Sequence, residues 1–254
     1  MKNFDSYAFS KQPGYHEPTV RREFAKAVPL RTVVIYCYDP RAIGIPAAVA
    51  RELGEVYPGK IISDAQGAKV ASTTTLFEIV VAGGRAVDAL RSITVAQHLF
   101  GIKNIVVVHH THCGGTSFTA DGIIAACKHE HQSDISDLYQ RESICISDYV
   151  SSLKHDVQLV RKSKGTPKHV NIYGYVYDIN TDELSLVVED KSQSPAVING
   201  RPGDAVGTRQ PQGVEAGATE AEMSEAAIVA ISLRAGAAVT HATPALSREV
   251  QNAD

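Results

Sequence analysis

The sequence predicts an α/β fold with a mainly parallel central sheet flanked by helices, ending in a C-terminal edge hairpin. Short branched apolar runs, of which Arg31–Tyr36 (RTVVIY) is the first, alternate along the chain with longer segments of helical periodicity. A short run whose two faces both look apolar is typical of a parallel strand buried on both sides. Strands that alternate with helices pair in parallel through crossover connections, and this pairing defines the α/β class.

Two further strands follow the first, with a helix between them. Phe77–Ala82 and Ile105–His109 are short apolar runs. Val87–Phe100 has apolar residues at helical spacing, and Gly101 follows it as a C-cap. Additional helices are predicted at residues 20–27, 45–53 (with Pro46 in the first turn), 121–130 and 147–161.

Turn signals and composition predict how the chain is organised beyond these elements. Asn171–Tyr177 and Leu184–Val188 flank a turn at 180–182, so we expect a hairpin whose last strand runs antiparallel at the sheet edge. The predicted regions are an N-terminal arm at 1–30, a central α/β domain at 31–190, and a loop-rich extension at 191–254 with one helix near 219–233.

Composition and charge exclude several classes of partner. A formal net charge of −3 over 254 residues argues against nucleic acid or an anionic membrane as the main partner. No stretch approaches the roughly 18 apolar residues that a membrane helix needs, and the N-terminus lacks the apolar core of a secretory signal. We therefore expect a cytoplasmic protein with reduced cysteines that are candidates for metal binding. Cys127 and Cys145 lie in helical or apolar segments, and we interpret them as small buried residues.

Metal-ligand residues follow two of the predicted strands. Cys37 comes directly after the first strand, and the sequence HTHC at His110–Cys113 comes after the third. Because the carboxyl ends of parallel strands converge on one crevice, we expect Cys37, His110 and Cys113 to bind one Zn²⁺ ion. Two cysteines and one histidine leave the fourth position of a tetrahedral zinc ion open, which is the mark of a catalytic site.

Two other histidines and a metal-free arrangement are the alternatives at this position. His109 would be the last strand residue and would point away from His110, because side chains alternate along a strand. His112 would form a cramped ligand pair with the cysteine that follows it. A polar cluster at the strand end without any metal is the third possibility.

The two motifs resemble those of the β-class carbonic anhydrases. CYDPR at Cys37–Arg41 is similar to the CxDxR of that family, and HTHCG at His110–Gly114 is similar to its HxxCG. The similarity continues in AGGRAVDALRS at 82–92 and within 156–178, and it covers roughly residues 31–190. The run TSFTADG after the second motif is similar to a branch of the class that includes carbonyl sulfide hydrolases.

The resemblance implies roles for individual residues. Cys37, His110 and Cys113 correspond to the zinc ligands, and Asp39 with Arg41 corresponds to the catalytic dyad. Asp39 either closes the zinc site or, when paired with Arg41, accepts a hydrogen bond from the activated water; an ordinary surface ion pair is the alternative. The resemblance also implies a homodimer, often paired into a homotetramer.

One departure from the family pattern falls next to the expected site. The family usually has Arg-Asn before the Ala-Gly pair, where this chain has Val80 and Val81. We expect these valines, together with Gly83 and Gly114, to line a substrate pocket that suits a linear molecule. Plain strand core is the alternative for the valines, and simple turns are the alternative for the glycines.

The sequence therefore predicts a zinc enzyme, a lyase or hydrolase, that acts on a small linear molecule. Hydration of CO2 to bicarbonate is the first hypothesis, and hydrolysis of carbonyl sulfide (COS) to hydrogen sulfide and CO2 is the alternative. A non-catalytic zinc protein is a lesser alternative. Two thiolate ligands donate more charge to the metal than neutral ligands would, so we expect activity that favours alkaline pH.

Overall fold

The computed structural model describes residues 3–192, which form two compact units. The larger unit contains residues 30–58 and 74–192, and the smaller contains residues 3–29 and 59–73. The helix predicted near 219–233 lies outside the described residues. Among residues 3–192, none of the helices has the length and apolar character that crossing a bilayer requires.

The described residues contain both helices and strands, in the alternation that the sequence predicts. The strands are β1 (Thr32–Cys37), β2 (Ile61–Ser63), β3 (Lys69–Ser72), β4 (Leu76–Val81), β5 (Asn104–His110), β6 (Asn171–Tyr177) and β7 (Leu184–Asp190). The helices are α1 (Glu17–Ala27), α2 (Ile45–Leu53), α3 (Leu90–Phe100), α4 (Ala120–Glu130), α5 (Arg141–Ile144) and α6 (Tyr149–Lys162).

The larger unit is built on a five-stranded sheet in the order β4-β1-β5-β6-β7. The first four strands in this order are parallel to one another, and β7 pairs antiparallel with β6 at the edge. The predicted α/β class, the mainly parallel sheet and the C-terminal edge hairpin are therefore confirmed. All of β1 is buried, because the sheet is covered on both faces.

Two apolar clusters cover the two faces of this sheet. On one face, Ile93 of α3 and Leu153 of α6 pack in the same cluster as Ile35 of β1. On the other face, Val49 of α2 packs in a cluster with Val34 of β1. Neighbouring residues of β1 thus point into different cores, which is the consequence of side-chain alternation along a strand.

Two predicted helix ends are also confirmed. Pro46 lies in the first turn of α2, where its missing N–H has no intrahelical partner to lose. Gly101 ends α3 in the left-handed conformation with φ of 64°.

The smaller unit contains α1 and an antiparallel hairpin of β2 and β3, and the hairpin was not predicted. The Asp64 carboxylate accepts backbone hydrogen bonds across its turn from Gln66 (3.0 Å) and Ala68 (2.8 Å), and Gly67 has φ of 79°. The hairpin strands have three and four residues and are largely exposed or half-buried, so their sequence carries little apolar alternation. The turn chemistry was the only available signal.

Gly84 brings the turn after β4 against the ends of β1 and β5. A Cβ atom at Gly84 would lie 2.5 Å from the carbonyl oxygen of Val108 and 3.1 Å from Cα of Tyr36. Its φ of 69° is also in the left-handed region that favours glycine. Because only glycine fits here, the chain can place Gly83 beside the strand ends that carry the predicted ligands.

Candidate metal centre

The structure brings Cys37, His110 and Cys113 together at the carboxyl ends of two neighbouring strands. Cys37 is the last residue of β1, His110 is the last residue of β5, and Cys113 lies in the turn that follows. One side-chain ligand atom from each residue lies within 4.8 Å of the others, and all three residues are buried. The two sulfur atoms are 3.8 Å apart. A tetrahedral zinc ion with Zn–S bonds of about 2.3 Å places its two sulfurs about 3.8 Å apart.

The hydrogen bonding of His110 leaves one ring nitrogen available to a metal. Nδ1 lies 2.9 Å from the carbonyl oxygen of Thr111, which can only accept, so Nδ1 carries the proton. Burial lowers the pKa of His110, so the ring is neutral and Nε2 holds a lone pair. Nε2 is buried and has no hydrogen-bond partner among the described residues. An orphaned imidazole nitrogen beside two thiols is the donor set that a zinc ion requires.

The other two histidines of the segment lie elsewhere. His109 points to the opposite face of the sheet from His110, where its ring is buried against Asp156. His112 is exposed and adopts a left-handed conformation with φ of 55°, which turns the chain toward Cys113. His110 is therefore the histidine that the fold places beside the two cysteines.

The Cys113 thiol is held in place by the first residues of the following turn. Its sulfur accepts a hydrogen bond from the backbone N–H of Gly115 at 3.4 Å. Burial raises the pKa of the Cys113 thiol to about 11; the Gly115 N–H opposes this effect, and the neighbouring Cys37 adds to it. A divalent cation bound by Cys37 and Cys113 would lower the pKa of the Cys113 thiol, because a coordinated thiol is deprotonated outright.

The Asp39 carboxylate is clamped by Arg41 beside this group. Nε and Nη2 of Arg41 donate to Oδ1 and Oδ2 of Asp39 at 3.0 and 2.7 Å, and Nη2 also donates to the His112 carbonyl at 3.0 Å. These hydrogen bonds hold the pKa of the Asp39 carboxyl well below its usual range. Asp39 Oδ2 lies 3.9 Å from His110 Nε2, which is too far for a hydrogen bond.

A cavity of about 600 Å³ opens beside Cys37. Much of its wall is apolar and comes from the turn after β4, from the connection between β5 and α4, and from the segment around α5: Ala82, Phe118, Ile144 and Ile146. The arginine and carboxylate side chains on the wall are already paired. Arg41 is paired with Asp39, and Arg85 is paired with a buried carboxylate behind the wall. The wall therefore suits a neutral ligand better than an anionic one.

The predicted pocket residues divide into two groups. Gly83 and Gly114 line the cavity. Val80 is 47% exposed on the edge strand β4, and Val81 packs against the apolar core on the other face of that strand. Neither valine is among the residues that line the cavity, because the strand ends at Val81 and the cavity wall begins one residue later, at Ala82.

Sequence analysis missed a buried ion pair behind the cavity wall. Arg85 and Asp156 form a two-pronged pair with distances of 2.9 and 3.0 Å, and their side chains are 3% and 0% exposed. Arg85 also donates to the carbonyl oxygens of Glu142 (2.7 Å) and Cys145, and Asp156 accepts from the Ala86 N–H at 3.1 Å. The pair thereby connects the turn after β4, α6 and the segment around α5.

The same carboxylate also borders the metal-ligand strand. Nε2 of His109 lies 3.4 Å from Oδ2 of Asp156. Burial of Asp156 favours the neutral acid, but its contact with His109 and the hydrogen bonds and charge of Arg85 outweigh burial and lower the pKa of Asp156. No local sequence signal marks these residues, since Arg85 and Asp156 are 71 positions apart.

Comparisons with known proteins give partial matches to carbonic anhydrases and to a carbon disulfide hydrolase. A segment of 100 residues is 30% identical to Beta-carbonic anhydrase 1 of Mycobacterium tuberculosis, covering 39% of this chain and 59% of that protein. A segment is 28% identical over 111 residues to Carbon disulfide hydrolase of Acidithiobacillus thiooxidans, covering 38% of this chain and 56% of that protein. A solved carbonic anhydrase from Streptococcus mutans has a TM-score of 0.48 at 23% identity, covering 74% of this chain and 99% of that chain.

The fold and the site define an α/β protein with a buried Cys–His–Cys group of the kind that holds a metal ion. Over the matched segments the chain is similar to a β-carbonic anhydrase and to a carbon disulfide hydrolase. No protein-family model matches the chain. The matched segments span less than two thirds of the length of the curated relatives.

We predict that Asp156→Asn lowers the free energy of unfolding by about 3–5 kcal/mol at neutral pH, because it leaves the buried Arg85 charge without its partner. The loss is measured by urea unfolding. Because the pKa of Asp156 is lowered by folding, its ionic contribution is present above about pH 4 and fades as the pH falls through the folded-state pKa. The difference from the parent chain should therefore shrink in acid.

Asp190→Asn is the matched control, because Asp190 forms a similar pair with Arg161 at 2.8 Å but is 38% exposed. We expect this control to cost less than about 1 kcal/mol. The double variant Arg85→Met/Asp156→Leu should recover most of the loss, since it removes both charges together. Equal losses for Asp156→Asn and Asp190→Asn would contradict this assignment.

Proposed function

We propose that this chain binds one zinc ion through Cys37, His110 and Cys113 and adds water to a small, neutral, linear molecule. CO2 hydration to bicarbonate and a proton is the reaction that we favour. The observation that carries the proposal is the partnerless Nε2 of His110 beside two buried sulfurs, close to a carboxylate that Arg41 holds. When bound, zinc supplies Lewis-acid activation of water near neutral pH.

The geometry of Asp39 supports a role in orienting water. Because its pKa is held low, the carboxylate is ionised and can only accept hydrogen bonds. Oδ1 accepts from both the backbone N–H and Nε of Arg41, whereas Oδ2 accepts from Nη2 alone and keeps accepting capacity. Oδ2 is also the oxygen that faces His110. We infer that Oδ2 accepts a hydrogen bond from the attacking water and so directs the lone pair of that water toward the substrate carbon.

The cavity supports a neutral substrate. An anionic substrate would need an uncommitted cation, and both arginines of the wall are already bound to carboxylates. Apolar side chains such as Phe118 and Ile146 provide contacts for a linear molecule with little hydration to lose. COS and carbon disulfide are also neutral linear molecules, so COS hydrolysis is the second candidate. Similarity to a protein named Carbon disulfide hydrolase supports this second candidate.

Turnover by the zinc-loaded chain tests the proposal. We predict rapid CO2 hydration in stopped-flow measurements with a pH indicator, with a rate that rises toward alkaline pH, and loss of this rate in Cys37→Ser. Hydrogen sulfide release from COS, measured in parallel, separates the two candidates. A higher catalytic efficiency for COS than for CO2 would select the second candidate. Stoichiometric zinc with turnover of neither substrate would contradict the enzymatic proposal and favour a non-catalytic zinc protein.

We predict that Arg41→Ala lowers kcat/KM about 10- to 100-fold, because Asp39 loses the hydrogen bonds that hold it away from the metal group. Zinc content measured in the same preparation should stay stoichiometric, since Arg41 is not a ligand. Arg91→Ala is the matched control: this exposed arginine of α3 does not line the cavity, and its loss should leave turnover unchanged. Undiminished turnover in Arg41→Ala would refute the role of the clamp.

A further inference from the structure

Ile146 forms the part of the cavity wall that lies against the proposed ligand sulfurs. The residue is 2% exposed and packs in one apolar cluster with Cys37 and Cys113, against which Tyr149 also packs. Ile146 lines the cavity as well. One aliphatic residue therefore borders both the metal-ligand group and the space that a substrate would occupy.

Two glycine-containing turns leave the room that the Ile146 side chain fills. A Cβ atom at Gly83 would lie 3.6 Å from Cδ1 of Ile146, and a Cβ atom at Gly115 would lie 3.5 Å from the same atom. The same Cβ atom at Gly115 would also lie 3.6 Å from Sγ of Cys113. The width of the cavity beside this sulfur therefore depends on the length of the side chain at 146 and on the absence of one at 115.

The backbone around Ile146 is fixed from two directions. Its N–H donates to the carbonyl oxygen of Gly115 at 2.9 Å. The carbonyl of the preceding residue, Cys145, and that of Glu142 accept hydrogen bonds from the buried Arg85 guanidinium. Because these hydrogen bonds fix the backbone around Ile146, this part of the cavity wall cannot move easily to admit a larger ligand. The shape of the wall therefore limits the size of the ligand that can bind.

We propose that Ile146 is the specificity-determining residue of this site, with its Cδ1 methyl restricting ligands beside the metal group to narrow, linear molecules. The inference rests on the proposed metal-binding function. Arg85 is a positioning residue in this arrangement, because it acts on the ligand only through the wall that carries Ile146.

Ligand affinities of the cobalt(II)-loaded chain test this role without any turnover. The bound cobalt ion supplies the cation that the cavity wall lacks, so two anions serve as probes: azide, which is linear, and 2-methylpropanoate, which is branched. Dissociation constants come from titrations followed by the visible absorption of cobalt. We expect Ile146→Ala to raise the affinity for 2-methylpropanoate relative to azide about tenfold, with a smaller change in the same direction for Ile146→Val. Gly115→Ala narrows the same space without a backbone clash, so it should shift this ratio the opposite way.

Val95→Ala is the control, because Val95 is a branched apolar side chain of α3 that is 43% exposed and does not line the cavity. It should leave the ratio within about twofold of the parent value. If Ile146→Ala fails to fold, the opposite shifts of Ile146→Val and Gly115→Ala still decide. An unchanged ratio in the folded variants at 146 and 115 would overturn the proposal.

Different experimental results would contradict the proposed enzymatic function and the proposed role of Ile146. A cobalt-loaded chain with the expected ratio shifts but no turnover of CO2 or COS would contradict the enzymatic proposal and support the role of Ile146. A chain that binds no cobalt would overturn both, because no metal group would then exist for the wall to shape.

Discussion

The candidate metal centre depends on the parallel pairing of β1 with β5. Cys37 and Cys113 are 76 positions apart, yet their sulfurs are 3.8 Å apart because the two strands end at the same edge of the sheet. The ladder aligns Thr32 with Asn104 and Ile35 with Val107. A slip of one residue in β1 would turn Cys37 to the opposite face, and it would also exchange the side chains that pack in the two apolar cores. Packing of the sheet therefore brings Cys37, His110 and Cys113 together as a candidate metal-binding group.

The Arg85–Asp156 pair fixes the cavity wall, as strand pairing fixes the candidate ligands. Removing two charges from water is costly, and the cost is offset only when the geometry is good and the remaining donors are satisfied. Nε, Nη1 and Nη2 of Arg85 all find acceptors, and two of these acceptors, the carbonyl oxygens of Glu142 and Cys145, lie on the segment that precedes Ile146. His109 borders the same carboxylate. Thus β5 carries the candidate ligand His110 on one face, and on the other face its His109 contacts the ion pair that supports the cavity wall.

Local patterns were sufficient to predict the sheet class and the ligand set that the fold brings together. Strand alternation separates His109 from His110, and the HxxC spacing places Cys113 within one turn of His110. The wall could not be predicted in the same way. Val80 and Val81 were chosen by their place before the Ala-Gly pair, but the cavity begins at Ala82, and such boundaries are finer than periodicity resolves.

The residues that sequence analysis missed owe their roles to tertiary contacts. Asp156 occupies an ordinary position in a helical pattern, and only its burial against Arg85 makes it a structural anchor. Ile146 follows the short helix α5 and carries no motif. Its place beside the sulfurs depends on the Gly115 carbonyl and on the Arg85 contacts with the segment before it. These contacts join segments that are far apart in sequence, so they cannot be predicted from local sequence patterns.

X-ray absorption at the zinc edge tests the proposed ligand set, because it reports the ligand atoms themselves. We expect one zinc ion per chain, with two sulfur scatterers at about 2.3 Å and one imidazole nitrogen at about 2.0–2.1 Å. The sulfur shell should disappear in the Cys37→Ser/Cys113→Ser double variant. A shell of nitrogen and oxygen alone in the parent chain, or a sulfur shell that survives in the double variant, would contradict it.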